Sequence, residues 1–144
     1  MANTPGLPQP AVITQPIHRR LSGALKPGTA IASGTDVSEV IALGANIRFL
    51  TIRATTATAG GTLKFDFVAP VATTDSGGYF LSNGEIDPSK VTKYADSLTP
   101  STVTITAGTT PAVMQVTCNG ESYGIVTISP GGTGTVSYVD LCTE

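Results

Sequence analysis

The chain has 144 residues and a formal charge of −2, with 40% hydrophobic and 12% charged residues, two cysteines and no tryptophan. That length fits one domain with a sizeable core. The sparse and slightly acidic charge argues against a nucleic-acid partner and against charge-driven disorder. No run approaches the ~20 apolar residues of a membrane helix, and Met1–Pro8 lacks the basic start and apolar stretch of a secretory signal, so neither is expected.

Residues 1–35 read as an extended N-terminal arm. Five of the ten prolines lie there (Pro5, Pro8, Pro10, Pro16 and Pro27), removing amide donors and holding the chain extended. Three basic residues and no acidic one give this segment +3, against −5 for residues 36–144. Leu7, Val12, Ile13, Ile17, Leu21 and Leu25 nevertheless put apolar surface along it, which needs something to lie on.

From Val37 the apolar period becomes two. Val37–Leu43 is a short apolar run ended by Gly44-Ala45-Asn46, and Ile47–Ala54 is rich in β-branched and aromatic residues. After Thr55–Gly61, Leu63, Phe65 and Phe67 alternate with Lys64 and Asp66, the pattern of a half-buried strand. These two strands are expected to pair antiparallel. Residues 69–100 form a long loop with turn chemistry at Ser76-Gly77-Gly78 and Ser82-Asn83-Gly84. Within it, Asp87 as N-cap and Pro88 at the first helical position predict a short helix over 87–95.

The last third predicts strand after strand. Val103–Thr106 and Met114–Cys118 alternate, Asn119-Gly120 is a strong hairpin signal leading to Tyr123–Ser129, and Pro130–Gly134 turns the chain into Thr135–Cys142. The reading is all-β: an antiparallel β-sandwich, jelly-roll-like, of seven to eight strands over residues 36–144 behind the arm. The 23 threonines suit pleated, half-wet strands. Cys118 and Cys142, without a CxxC pair, are expected to be free thiols, a bond between them being open only if their strands are neighbours.

Catalytic patterns are weak. Asp75-Ser76-Gly77-Gly78 matches the tetrapeptide around the nucleophile of chymotrypsin-like proteases, but the only histidine to serve as base is His18, in the arm. Glu85 and Asp87, with Asp75 nearby, lack the apolar setting that would split the roles of a carboxylate pair. Asp75, Ser76, Asn83, Glu85 and Asp87 match no calcium-loop spacing, and no Gly-Gly pair leads into a phosphate-binding Gly-Lys-Ser/Thr. No enzyme activity, cofactor or metal is expected. Tyr79, Phe80 and Tyr94 offer the loop a small aromatic surface, the one feature in favour of a glycan-binding module.

The stretch Val40-Ile41-Ala42-Leu43-Gly44-Ala45-Asn46-Ile47-Arg48-Phe49-Leu50-Thr51-Ile52-Arg53 resembles a phrase common in small virion proteins of tailed bacteriophages, where an apolar strand and a Gly-Ala turn lead into a strand of I-R-x-L-T-I-R type. The Gly/Thr/Val-rich C-terminal third and the proline-rich, weakly basic arm are similar to head decoration (cement) proteins in layout. The resemblance implies a structural protein located in the virion and assembled in the host cytoplasm. It also implies partners in the major capsid protein or other virion subunits, and a trimer or dimer of its own. A tail, collar or fibre component is the neighbouring alternative. The arm contacts are then expected at Ile13, Ile17, His18, Arg19, Arg20 and Leu21, and Gly78–Asp87 is expected to be an outward or intersubunit loop.

Overall fold

The computed structural model describes residues 17–44, 46–71, 80–81, 84–94 and 101–144. Among the described residues are ten strands: β1 (Ile17–Arg20), β2 (Ala30–Ile31), β3 (Val37–Ala42), β4 (Phe49–Ala57), β5 (Gly61–Pro70), β6 (Val91–Lys93), β7 (Thr102–Ile105), β8 (Ala112–Thr117), β9 (Tyr123–Pro130) and β10 (Gly134–Thr143). One sheet runs β1-β10-β4-β8 with β2 also on β10, and the other runs β3-β9-β5-β6 with β7 also on β5. Every pairing is antiparallel. Because β1 and β2 share one edge of β10, and β6 and β7 share one edge of β5, the ten segments fill eight strand positions.

The pairing is nested. β5 pairs with β6 and β7, β4 with β8, β3 with β9, and β1 and β2 with β10. This is a long antiparallel ribbon rolled up so that β10 also meets β4 and β9 also meets β5. The result is a jelly-roll sandwich.

Rolling overturns three local expectations. The strands β4 and β5 do not pair; they lie in opposite sheets. Thr58, at φ 62°, turns the chain across, and Gly60 and Gly61 pass against the backbone of Ile105 and Ser129 where a Cβ would not fit. Asn119-Gly120 turns the chain with Gly120 at φ 98°, but it joins the two sheets instead of closing a hairpin. Each side of that turn is tied to its own sheet: the Cys118 amide donates to the Arg48 carbonyl, and the Leu43 amide to that of Ser122. The helix over 87–95 shrinks to a single 3-10 turn, Pro88–Lys90. Asp87 caps it as expected, accepting from the Ser89 amide at 2.9 Å, but β-branched Val91 and Thr92 then pair as β6 with Pro70 and Ala69.

The arm is corrected as well. Residues 17–35 belong to the sandwich, so the 35/36 boundary does not divide the structure. β1 and β2 extend the sheet, the Leu21 amide donates to the Val139 carbonyl, and Leu21, Leu25 and Ile31 are buried in the main core. Leu21 and Leu25, expected to cover a partner, find their surface at home, where burial stabilises by roughly 1.5–3 kcal/mol per side chain.

Between the sheets lie Leu50, Ile52 and Ala54 of β4, Leu63, Phe65 and Phe67 of β5, Met114 of β8, Val126 and Ile128 of β9, and Val139 and Leu141 of β10. The alternation expected at 63–67 is present, with Lys64 and Asp66 outward and Asp66 paired to Lys93 at 3.2 Å. The 69–100 loop is narrower than expected, since β5 runs to Pro70 and β6 returns at Val91. Ile86 and Val91 cover Val40, Val68 and Ile125 on the outer face of the second sheet. This part of Gly78–Asp87 therefore faces the chain's own sheet, while Gly78 lies outside the described residues.

A bulge at Ser137 breaks the register between Val136 and Tyr138. One extra residue moves a side-chain set to the opposite face. Val136, Val139 and Leu141 are thus buried, while Tyr138, Asp140 and Cys142 take the outer face.

Candidate interface at the mouth of the sandwich

Two sheet edges, β1 and β3, flank the same opening into the sandwich. Because the Leu21 amide bonds Val139, the register puts Arg19 and Ile17 in the same hydrogen-bonded set. The backbone groups of His18 and Arg20 therefore point away from β10. By the same logic, the Leu43–Ser122 bond leaves those of Ser38, Val40 and Ala42 pointing away from β9. Among the described residues neither edge has a second strand. Such edges invite pairing with another chain.

Side chains give this edge its chemistry. All four residues of β1 are exposed, Ile17 at 65%. Ile17 and Arg19 face the opening, where they line a cavity of about 170 Å³ with Ile41, Ile47 and Leu141. A second cavity, of about 330 Å³, continues along the edge between Arg19, Arg20, Glu39, Glu85, Phe80 and Tyr123. On the outer face, His18 Nδ1 lies 3.7 Å from Asp140 Oδ2, and the Arg20 guanidinium sits 4.8 Å from the centre of the Tyr138 ring. Two of the residues expected as arm contacts, His18 and Arg20, are thus engaged in part by the chain's own body.

Glu39 is the buried charge of the site. Its Oε1 accepts from the Leu25 amide at 3.0 Å, tying the 21–29 segment over the opening. Burial pushes its carboxyl above the ordinary range and nearby Glu85 adds to this, while the Leu25 and Gly23 amides and Arg19 pull the other way. A carboxyl raised by folding binds more protons in the native state, so its stabilising contribution is full in acid and fades as pH rises through the raised value. Glu39→Gln keeps the acceptor for Leu25 without the charge. It is expected to raise Tm by a few degrees at neutral pH, with the gain vanishing as pH falls below the ordinary glutamate value. Thermal melts across pH check this, and a lower Tm at neutral pH would contradict it.

The expected residues divide as follows. Ile17, His18, Arg19 and Arg20 come together on the exposed edge, whereas Leu21 is buried and offers no partner contact. Ile13 and Tyr79 lie outside the described residues. Phe80, 55% exposed, lines the larger cavity of the mouth, but Tyr94 follows β6 with its amide on the Phe67 carbonyl and does not line it. Asp87 is used as a cap; Asp75, Ser76 and Asn83 lie outside the described residues. No group of three metal-ligating side chains gathers among the described residues. Both thiols are unbridged, Cys118 buried and Cys142 half-buried. Sequence reasoning passed over Glu39, although its place on the inward side of an apolar run was visible.

A wider hollow of about 1010 Å³ opens at one end of the sandwich around Arg48, Phe49, Glu121 and Glu144. Its main-chain groups already join strand ends, Arg48 donating to the Glu144 carbonyl at 2.8 Å.

No family model, curated protein or solved structure matches the chain. Its class rests on topology: an antiparallel jelly-roll β-sandwich, an architecture shared by capsid, lectin and cupin domains that does not by itself set function.

Proposed function

We propose that this is a structural virion protein that decorates and cements a capsid, binding the major capsid protein or other virion subunits and working by contact instead of catalysis. One observation carries the reading. The first described strand is an exposed edge with no second strand on it among the described residues, bearing Ile17, His18 and the cations Arg19 and Arg20, directly after a proline-rich segment. A neighbouring subunit can add a strand there, taking affinity from main-chain hydrogen bonds and register from alternate side chains. Repetition over a lattice turns modest contacts into strong attachment. The resemblance of Val40–Arg53 to phage virion proteins supplies the setting.

The test uses the full chain carrying Ile17→Asp and Arg19→Ser, both at exposed positions. The variant is expected to keep the fold by circular dichroism and to lose co-sedimentation with capsids that the unaltered protein coats. Full occupancy by the folded variant would end the edge-docking reading.

A further inference from the structure

The outer face of the first sheet carries a row of three groups outside the mouth. Cys142 Sγ lies 3.6 Å from His18 Nε2, and His18 Nδ1 lies 3.7 Å from Asp140 Oδ2. Three features of the fold build this row. The Ser137 bulge turns Asp140 and Cys142 outward, the antiparallel register sets His18 opposite Cys142, and the β10 spacing puts Asp140 one pleat away. A thiol beside an imidazole, with a carboxylate facing the other ring nitrogen, is the arrangement that lets a thiol lose its proton as it attacks. Cys142 is half-buried beside His18, whose side chain is 62% exposed, so the row opens to solvent.

The surroundings decide which chemistry fits. The row lies on a sheet face, and neither cavity of the mouth includes Cys142 or His18. β10 is paired on both sides here, so its amides are committed to the ladders and supply no oxyanion hole for acyl transfer. Attack on sulfur needs no such hole, only a thiolate and room for the leaving group. We propose that Cys142 is a reactive thiol that exchanges with low-molecular-weight disulfides, with His18 as its base and Asp140 as the residue positioning His18.

His18 Nε2 takes the proton from Sγ, and the thiolate attacks one sulfur of the disulfide. The new Sγ–S bond forms as the old S–S bond breaks, and the departing thiolate recovers the proton from His18 as a free thiol. Cys142 is oxidised to a mixed disulfide and the reactant is reduced, so no other oxidant is needed. Cys118 is the reference within the same chain: burial, with Glu121 adding to it, pushes its thiol up to about 11. The charged groups sharing the face of Cys142 are Asp140 and Glu144 from β10 and its end, Arg20 from β1, and Arg53 from β4; its neighbour across β4 is the neutral Thr51. This inference does not depend on the capsid reading.

The experiment exposes the full chain to oxidised glutathione and follows the adduct on each cysteine peptide by mass spectrometry over a range of pH. Cys142 is expected to react at least about tenfold faster than Cys118 near neutrality. His18→Gln is expected to slow Cys142 by about tenfold and to shift the rise of its pH–rate profile to higher pH, with the melting temperature unchanged. A Cys142 no faster than Cys118 overturns the assignment, as does an unaltered profile in His18→Gln. Should that variant fail to fold, Asp140→Asn carries the same reading through the same profile.

Discussion

Removing residues 1–16 is expected to leave a folded sandwich, whereas removing residues 1–28 is expected to unfold it or leave it on the margin. The second deletion takes away all of β1 and, with Leu21 and Leu25, two side chains of the central core. Each leucine alone is worth roughly 2–5 kcal/mol when truncated to alanine. The deletion also strips the main-chain partners from one side of β10 between Asp140 and Thr143 and takes away the Leu25 amide that satisfies buried Glu39. Against a domain stability of about 5–15 kcal/mol, that loss is decisive. Urea unfolding followed by circular dichroism separates the two truncations. Equal midpoints for the 1–28 deletion and the full chain would show that residues 17–28 do not hold the sandwich together.

Phe65→Ala is expected to cost about 3–5 kcal/mol, among the largest losses from any single side chain here. Phe65 is fully buried at the centre of β5 and meets the Phe67 ring edge-on, with ring centres 5.2 Å apart. Its ring sits over Gly124 of β9, and a Cβ at Gly124 would run into the ring. Gly124→Ala by itself is therefore expected to destabilise by about 1–3 kcal/mol through overpacking. In the Phe65→Ala background the same methyl enters vacated space, so its cost should fall to near zero or reverse. A double-mutant cycle from denaturant unfolding reads this coupling directly. Additive effects of the two substitutions would show that the ring does not depend on the glycine.

The period-two runs at Leu63–Phe67 and Met114–Cys118 were legible because alternation follows from the pleat of a single strand and needs no knowledge of its neighbours. The sandwich class was legible for the same reason. The pairing was not: Asn119-Gly120 carries the turn chemistry of a hairpin, yet its flanking strands lie in different sheets. A turn dictates that the chain reverses, while the burial of both flanks dictates which sheet receives each. Leu21 and Leu25 were read correctly as needing a surface and assigned the wrong one. Nothing local distinguishes a leucine that covers a neighbour from one that closes its own core.

The Cys142–His18–Asp140 row shows the same limit at the level of a site. His18 and Cys142 are 124 residues apart in sequence and become neighbours only through the outermost pair of the nested ribbon. A trace of it was present in the spacing of Val136 and Val139, which an unbulged strand would send to opposite faces. Placing Asp140 and Cys142 outward required knowing that the bulge lies at Ser137 and no later.

By itself the sequence determined the all-β class, most of the strands after Val37, the inward side of Leu63–Phe67 and the turns, because these depend on contacts within a few residues. Only the tertiary structure decided the jelly-roll order, the return of residues 17–35 to the core, the exposed β1 edge and the thiol–imidazole–carboxylate row. Each of these is a pairing between distant segments, chosen by which arrangement buries both faces of the rolled ribbon at once.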